Sequence, residues 1–172
     1  KKSNIKITKK NKVLCAKFRK GHFEGVLDVM GRLTNLVNPK KIFMGKKDYQ
    51  QYFLIKKYLK NKYKTSIIPC KTIRNKSKMA LSSRNNHLDL DGIKKASFLS
   101  KSLIKLKRNL TNSKKIKQNL RIQMKYFEKL LKIKIEYLEL RSIKNLKISN
   151  TVKGSRLFVA YYIDNVRLID NF

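Results

Sequence analysis

Two short apolar runs, each stopped by a residue that interrupts regular backbone, bracket a helical stretch. Lys41-Ile42-Phe43-Met44 halts at Gly45, and Ser66-Ile67-Ile68 halts at Pro69. Between them, over about residues 48–62, Tyr52, Ile55 and Leu59 share one helical face, and Asp48 stands where it can cap the helix. Upstream, Val26, Met30, Leu33 and Val37 recur at three- and four-residue steps from Glu24 to Val37. That spacing predicts an amphipathic helix with those four residues as its core stripe. Asn38-Pro39 ends it, because the residue before a proline is pushed out of the helical region. Helix, strand, helix, strand calls for parallel pairing through right-handed crossovers. Ligands of such sheets sit beyond the carboxyl ends of the strands. Residues 45–51 follow one such end, and the segment from Ile73 to Arg84 follows another.

The texture changes after Asn86. Asp91 to about Leu106 reads as a helix with Ile93, Phe98, Leu103 and Leu106 among its apolar positions, and Ser113 to Leu131 reads as a second. Ile133 to Leu140 alternates strictly and predicts a strand; Arg156–Ile163 and Val166–Ile169 predict two more. Consecutive helices followed by consecutive strands describe a small α+β lobe. The boundary falls near residues 71–73. At the other end, the alternation Ile5-Lys6-Ile7 predicts a short strand.

The formal net charge is +34 and the pI about 10.4. Clustered cations would point to nucleic acid. Here 35 Lys against 9 Arg, with 15 Asn, 17 Ile and 4 Ala, follow A/T-rich codons, and the cations are spread along the whole chain. A dedicated binder would use more arginine. Compositional drift is therefore the favoured reading, with a basic nucleic-acid-binding domain as the alternative. No run of about 18 apolar residues offers a membrane span. Lys1-Lys2-Ser3-Asn4 opens no signal peptide and lacks an initiator Met, so the chain is expected to begin inside a longer protein. Cys15 and Cys70 lack metal-ligand spacing and read as reduced thiols of a cytoplasmic protein.

Two polar stretches carry the chemistry. Gly45-Lys46-Lys47-Asp48-Tyr49-Gln50-Gln51 offers a glycine, ammonium groups, a carboxylate and two amides; Ala80-Leu81-Ser82-Ser83-Arg84-Asn85-Asn86 offers two hydroxyls and a guanidinium. Such groups suit phosphate and hydroxyl oxygens, hence a nucleotide and a small polar acid.

With these residues in view, the chain resembles the pantothenate synthetase (pantoate–β-alanine ligase) family across nearly its whole length. Gly21-His22-Phe23-Glu24-Gly25-Val26 resembles that family's GHFxGV segment, with Arg19 where the family has Arg. Asn38-Pro39 and Phe43 to Gln51 resemble its "QPD…FGEKDYQQ" stretch. Ile73-Arg74 and Ala80 to Asn85 resemble "VR…ALSSRN", and Val166-Arg167-Leu168-Ile169-Asp170-Asn171 its "xRLIDN" ending. The resemblance implies an α/β fold: the C-terminal part of a Rossmann-like nucleotidyltransferase domain binding ATP and pantoate (residues 1–72), then a small α+β domain carrying the Leu-Ser-Ser-Arg loop (73–172). It implies a cytoplasmic homodimer without a specific nucleic-acid or membrane partner. The implied reaction uses ATP with Mg2+: pantoate is adenylated with release of pyrophosphate, then β-alanine displaces AMP.

Residue by residue, the resemblance implies Lys47, Ser82 and Arg84 as catalytic. ATP contacts are implied for Gly45, Lys46, Lys47, Asp48, Ile73, Leu81, Ser82, Ser83 and Arg84. Pantoate contacts are implied for Gln51, His22 and Arg19. Asp48 can bond the ribose, cap the helix, or both; His22 is equally consistent with a structural histidine. The chain departs from the family at Lys46, where Glu is usual, and at Cys15-Ala16, which replaces Glu-Gly. His87 stands where an aromatic is usual. The family's His-x-Gly-His motif is absent, His22 and His87 being the two histidines. The 172-residue chain alone is thus expected to show little or no activity; a noncatalytic remnant is the further alternative.

Overall fold

The computed structural model describes residues 5–60 and 62–172; the reading of Lys1–Asn4, and Asn61 within the helix expected over about residues 48–62, lie outside them. The chain divides into two compact units, Lys1–Lys71 and Thr72–Phe172.

The first unit runs through a 3₁₀ turn, Lys9–Asn11, then α1 (Cys15–Phe18), α2 (His22–Val37), β1 (Lys41–Gly45), a second 3₁₀ turn (Lys46–Asp48), α3 (Tyr49–Leu59) and β2 (Ser66–Cys70). β1 and β2 pair in parallel, in register from Lys41↔Ser66 to Gly45↔Cys70. The expected strand at Ile5-Lys6-Ile7 is absent: residues 5–8 are irregular, and Ile7 buries its side chain without joining a ladder.

α2 forms where its periodicity predicts, but the expected core stripe is on the wrong side. Phe23, Leu27, Gly31 and Thr34 are buried. Leu33 and Val37 are exposed, with Val26 and Met30 intermediate. The helix is apolar on two faces, and close approach decides between them. A Cβ on Gly31 would stand 3.3 Å from Cε1 of Tyr58, and Tyr63 donates its hydroxyl to the Gly31 carbonyl at 3.1 Å. Gly21 turns the chain into α2 at φ +76°, which glycine adopts without a Cβ penalty. Asn38 leaves it in the left-handed region at φ 47°, where its short amide side chain is tolerated.

α3 buries Tyr52, Ile55 and Leu59 as the spacing predicts, together with Tyr49, Gln50 and Leu54. Full burial of an aliphatic side chain such as Leu59 contributes roughly 1.5–3 kcal/mol. Asp48 occupies the N-cap position but makes no side-chain cap bond. The chain enters from a 3₁₀ turn, leaving Asp48 at φ −93°, ψ 54°, away from the extended backbone a capping side chain uses. Pro69 does not close β2; it lies inside the strand opposite Met44. In a two-stranded sheet each strand has an outer edge, where a missing N–H is tolerated.

The second unit opens with an irregular loop and a 3₁₀ segment, Ser83–His87, followed by α4 (Leu90–Asn109), α5 (Ile116–Leu131), β3 (Lys134–Ser142), β4 (Ser155–Ile163) and β5 (Val166–Asn171). Asp89 caps α4 by accepting from Gly92 N–H at 2.7 Å. The strands form one antiparallel sheet in the order β3-β4-β5. Its core joins Ala96, Leu99 and Leu103 of α4 with Leu120 and Phe127 of α5 and Leu140, Leu157 and Val159 of the sheet. Phe98, expected among the apolar positions of α4, is 47% exposed, because residues 96, 99 and 103 define the inward face and 98 falls beside it. The strict alternation expected of β3 is broken by a register shift between Ile135 and Tyr137, so that Tyr137 and Leu138 are both buried. No helix of the described residues is long and apolar enough to cross a membrane.

Candidate functional site

The first unit gathers one set of candidate residues at the carboxyl end of β1. Gly45 ends the strand, and a Cβ there would meet nothing within 4 Å, so the backbone is open to an approaching group. Lys46, Lys47 and Asp48 form the 3₁₀ turn that follows. The two lysines are half-buried and Asp48 is exposed. Gln51 lies in the first turn of α3, half-buried, so that ammonium, carboxylate and amide groups succeed one another within seven residues. Arg19 and His22 flank the turn into α2. The Arg19 guanidinium donates to Nε2 of His22 at 2.7 Å, so the imidazole proton in this arrangement sits on Nδ1.

Gln50, given no role above, is what fastens this region. Its side chain is buried. Nε2 donates to the carbonyls of Val13 at 2.6 Å and Asn11 at 3.3 Å, and Oε1 accepts from Ala16 N–H at 3.4 Å. The segment leading to Arg19 and His22 is thereby held to the start of α3. In the sequence it stood only as one of the two amides of the 45–51 stretch, with no partner indicated.

The second unit holds the other set. The loop from Ile73 to Leu81 closes on itself: Leu81 N–H donates to Ile73 O at 3.0 Å, Asn75 N–H to Met79 O at 3.0 Å, and Met79 N–H to Oδ1 of Asn75 at 3.0 Å. Ile73 and Leu81, both exposed, therefore lie side by side at its mouth. Ser82 follows in extended backbone, its hydroxyl accepting from Arg84 N–H at 3.3 Å. Ser83 and Arg84 begin the 3₁₀ segment, which ends at His87, and all three are exposed. Arg84 Nη1 donates to the carbonyl of Arg167 on β5 at 3.1 Å, leaving other guanidinium N–H groups directed elsewhere. A cavity of about 140 Å³ between α5 and β3, lined by Ile116, Leu120, Met124, Leu138, Leu140 and Ile148 among others, contains none of these residues. Among the described residues no group of three or more His, Cys, Asp or Glu side chains is arranged to hold a metal.

A parallel strand–helix–strand element with a lysine turn at its strand end, together with a small antiparallel unit, makes this an α/β protein; the solved structures it resembles agree with a nucleotidyltransferase-like fold. The family model for pantoate-beta-alanine ligase matches residues 2–172, and the chain belongs to that family. The pantothenate synthetase of Sulfurihydrogenibium sp. (strain YO3AOP1) is 37% identical over 173 residues, covering 97% of this chain and 61% of the relative. That of Leptospira interrogans serovar copenhageni is 38% identical over 174 residues, covering 97% and 60%. The crystal structure of pantothenate synthetase from Thermus thermophilus superposes with a TM-score of 0.82 at 27% identity, covering 98% of this chain and 62% of that one. The pantoate-beta-alanine ligase of Francisella tularensis, solved in complex with beta-gamma ATP and beta-alanine, gives 0.77 at 34% identity, covering 98% and 56%. The chain thus spans about three-fifths of the length of the relatives it matches.

Proposed function

We propose that the protein serves in the ATP-dependent condensation of pantoate with β-alanine, through a pantoyl-adenylate. The pantoate carboxylate attacks the α-phosphorus of ATP and pyrophosphate leaves. The β-alanine amine then attacks the acyl carbon, and AMP leaves as the amide forms. The observation that carries this reading is the placement of Lys47 in a turn just beyond the carboxyl end of β1, with Gln51 one helical turn onward. An ammonium fixed there stabilises the negative charge that builds on the phosphate oxygens during attack. Gln51 donates to and accepts from the hydroxyls and carboxylate of pantoate, with Arg19 and His22 as further pantoate contacts in this reading. Gly45, Lys46 and Asp48 meet the nucleotide at the same strand end, Asp48 at the ribose, a role compatible with its carboxylate not being engaged as a cap. Ile73 and Leu81 offer an apolar edge to the adenine. Ser82, Ser83 and Arg84 hold the departing pyrophosphate through hydroxyl and guanidinium donors. Mg2+ enters with the triphosphate, held chiefly by phosphate oxygens and water. The working protein in this reading is a cytoplasmic homodimer.

The decisive test is Lys47→Ala in the full-length ligase. Pantoate-dependent ATP–pyrophosphate exchange should fall by roughly 10²–10³, the loss expected of one charge-stabilising contact. Exchange at the unsubstituted rate would remove the reading. The basic-domain alternative is not favoured. Under the ligase reading, binding to nucleic acid is nonspecific and disappears near physiological salt.

A further inference from the structure

Arg74 and Asp170, neither of which has been given a role, lie 96 residues apart in sequence, yet they form one bidentate pair. Arg74 Nη1 lies 2.6 Å from Oδ2 of Asp170, and Nη2 lies 2.8 Å from Oδ1. The same guanidinium donates to the carbonyls of Lys78 at 2.9 Å and Asn171 at 3.2 Å, and stacks 4.6 Å from the ring centroid of Phe172. The Asp170 side chain is 4% exposed and that of Arg74 20%. Two parallel N–H···O bonds fix the plane of both groups as well as their separation. Arg74 sits in one leg of the closed loop, and its bridge partner Ala80 in the other leg, which runs straight into Leu81, Ser82, Ser83 and Arg84. Arg84 then returns to β5 at the Arg167 carbonyl. β5 therefore carries this loop at two places, three residues apart.

We propose that Arg74 and Asp170 are positioning residues for the phosphate-holding loop: the pair fixes the direction in which Ser82, Ser83 and Arg84 present their donors to the triphosphate. This rests on the reading of those three residues given under Proposed function. Neither Arg74 nor Asp170 reaches the nucleotide; each acts through the loop. Arginine is required at 74 because a lysine ammonium can reach one carboxylate oxygen but cannot reproduce the planar fork or the further bonds to Lys78 O and Asn171 O.

The test compares Arg74→Lys, Asp170→Asn and Arg84→Ala in the full-length ligase. Arg74→Lys, which keeps the charge, should raise the KM for ATP about 10-fold and weaken inhibition by pyrophosphate, with the KM for pantoate unchanged. Faster hydrogen exchange at the amides of Met79 and Leu81 should accompany it. If Asp170→Asn fails to fold, Arg74→Lys decides alone. Unchanged ATP and pyrophosphate affinities in a folded Arg74→Lys protein, while Arg84→Ala is impaired, would overturn the positioning role and leave the reading of the loop intact. An Arg84→Ala protein with normal exchange kinetics would remove the reading of the loop, and the positioning role with it. Loss of both KM values together in Arg74→Lys would mark a general structural role and also overturn the proposal.

Discussion

The Gln50 side-chain amide donates to the Val13 carbonyl at 2.6 Å, within a buried set of three bonds that also engages Asn11 and Ala16. Replacing Gln50 by Leu roughly keeps the volume but removes all three bonds; the Ala16 N–H and the Val13 carbonyl keep their bond to each other at 3.0 Å, and the Asn11 carbonyl loses its side-chain donor. Unmade bonds at buried groups cost about 1–3 kcal/mol each, and relaxation toward water will recover part of that. We expect Gln50→Leu to lower stability by about 1–2 kcal/mol in urea denaturation. The earliest loss of exchange protection should fall on residues 11–17.

The two apolar faces of α2 should respond differently to substitution. Leu27 is 4% exposed and Leu36 is 81% exposed. Leu27→Ala should cost about 2–4 kcal/mol, whereas Leu36→Ser in the 172-residue chain should stay within about 0.5 kcal/mol. Equal effects in thermal melts would contradict the burial seen here.

Glu136 and Arg167 make the best-shielded ion pair of the antiparallel unit, with side-chain exposures of 8% and 12% and Arg167 Nη2 2.6 Å from Oε2. Tyr162 donates its hydroxyl to the same carboxylate at 3.1 Å. Glu136→Gln leaves a buried guanidinium without its counter-charge and should cost about 3 kcal/mol. Glu139→Gln, at a carboxylate one third exposed, should cost under about 1 kcal/mol. Chemical denaturation of the two variants side by side distinguishes them.

Burial pushes the Tyr161 hydroxyl well above its ordinary value of 10.0, the Asp170 carboxylate adding to the effect. A group whose folded-state value is raised contributes stability that is complete below the unfolded value and declines as pH climbs beyond it. The unit should therefore lose stability above about pH 10. Tyr161→Phe lacks the ionisable group and should show a shallower decline. The measurement is the difference in melting temperature between the two proteins from pH 8 to 11, which cancels the shared titration of lysines.

Local signals in the sequence located the helices and strands well. Gly45 ends β1, and the 3.6-residue period sets α3, α4 and α5 within a few residues of their observed limits. What failed required knowledge of neighbours. Nothing local in α2 tells which of two apolar stripes is inward; Tyr58 and Tyr63, closing over Gly31, settle that from outside. Asp48 has the right identity for a cap but the wrong backbone angles. The residue types of the polar loops suggested phosphate-suited chemistry, while their assignment to ATP and pantoate came from the family likeness. Nothing local in the 45–51 stretch marks the bonds Gln50 makes to residues 11–16, and the Arg74–Asp170 pair spans a separation that no periodicity reports.

Arginine is scarce in this protein, yet the structure concentrates on it. Arg74, Arg141 and Arg167 hold the carboxylates of Asp170, Glu139 and Glu136, and Arg156 holds the side chain of Asn171, whereas Lys95 pairs with Asp91 on the wet side of α4. Amine-directed reagents such as acylating esters should therefore decorate much of the surface and leave the antiparallel unit folded. A dicarbonyl that condenses with guanidinium groups should unfold it only once these shielded arginines, after the exposed Arg84, Arg108 and Arg121, have reacted.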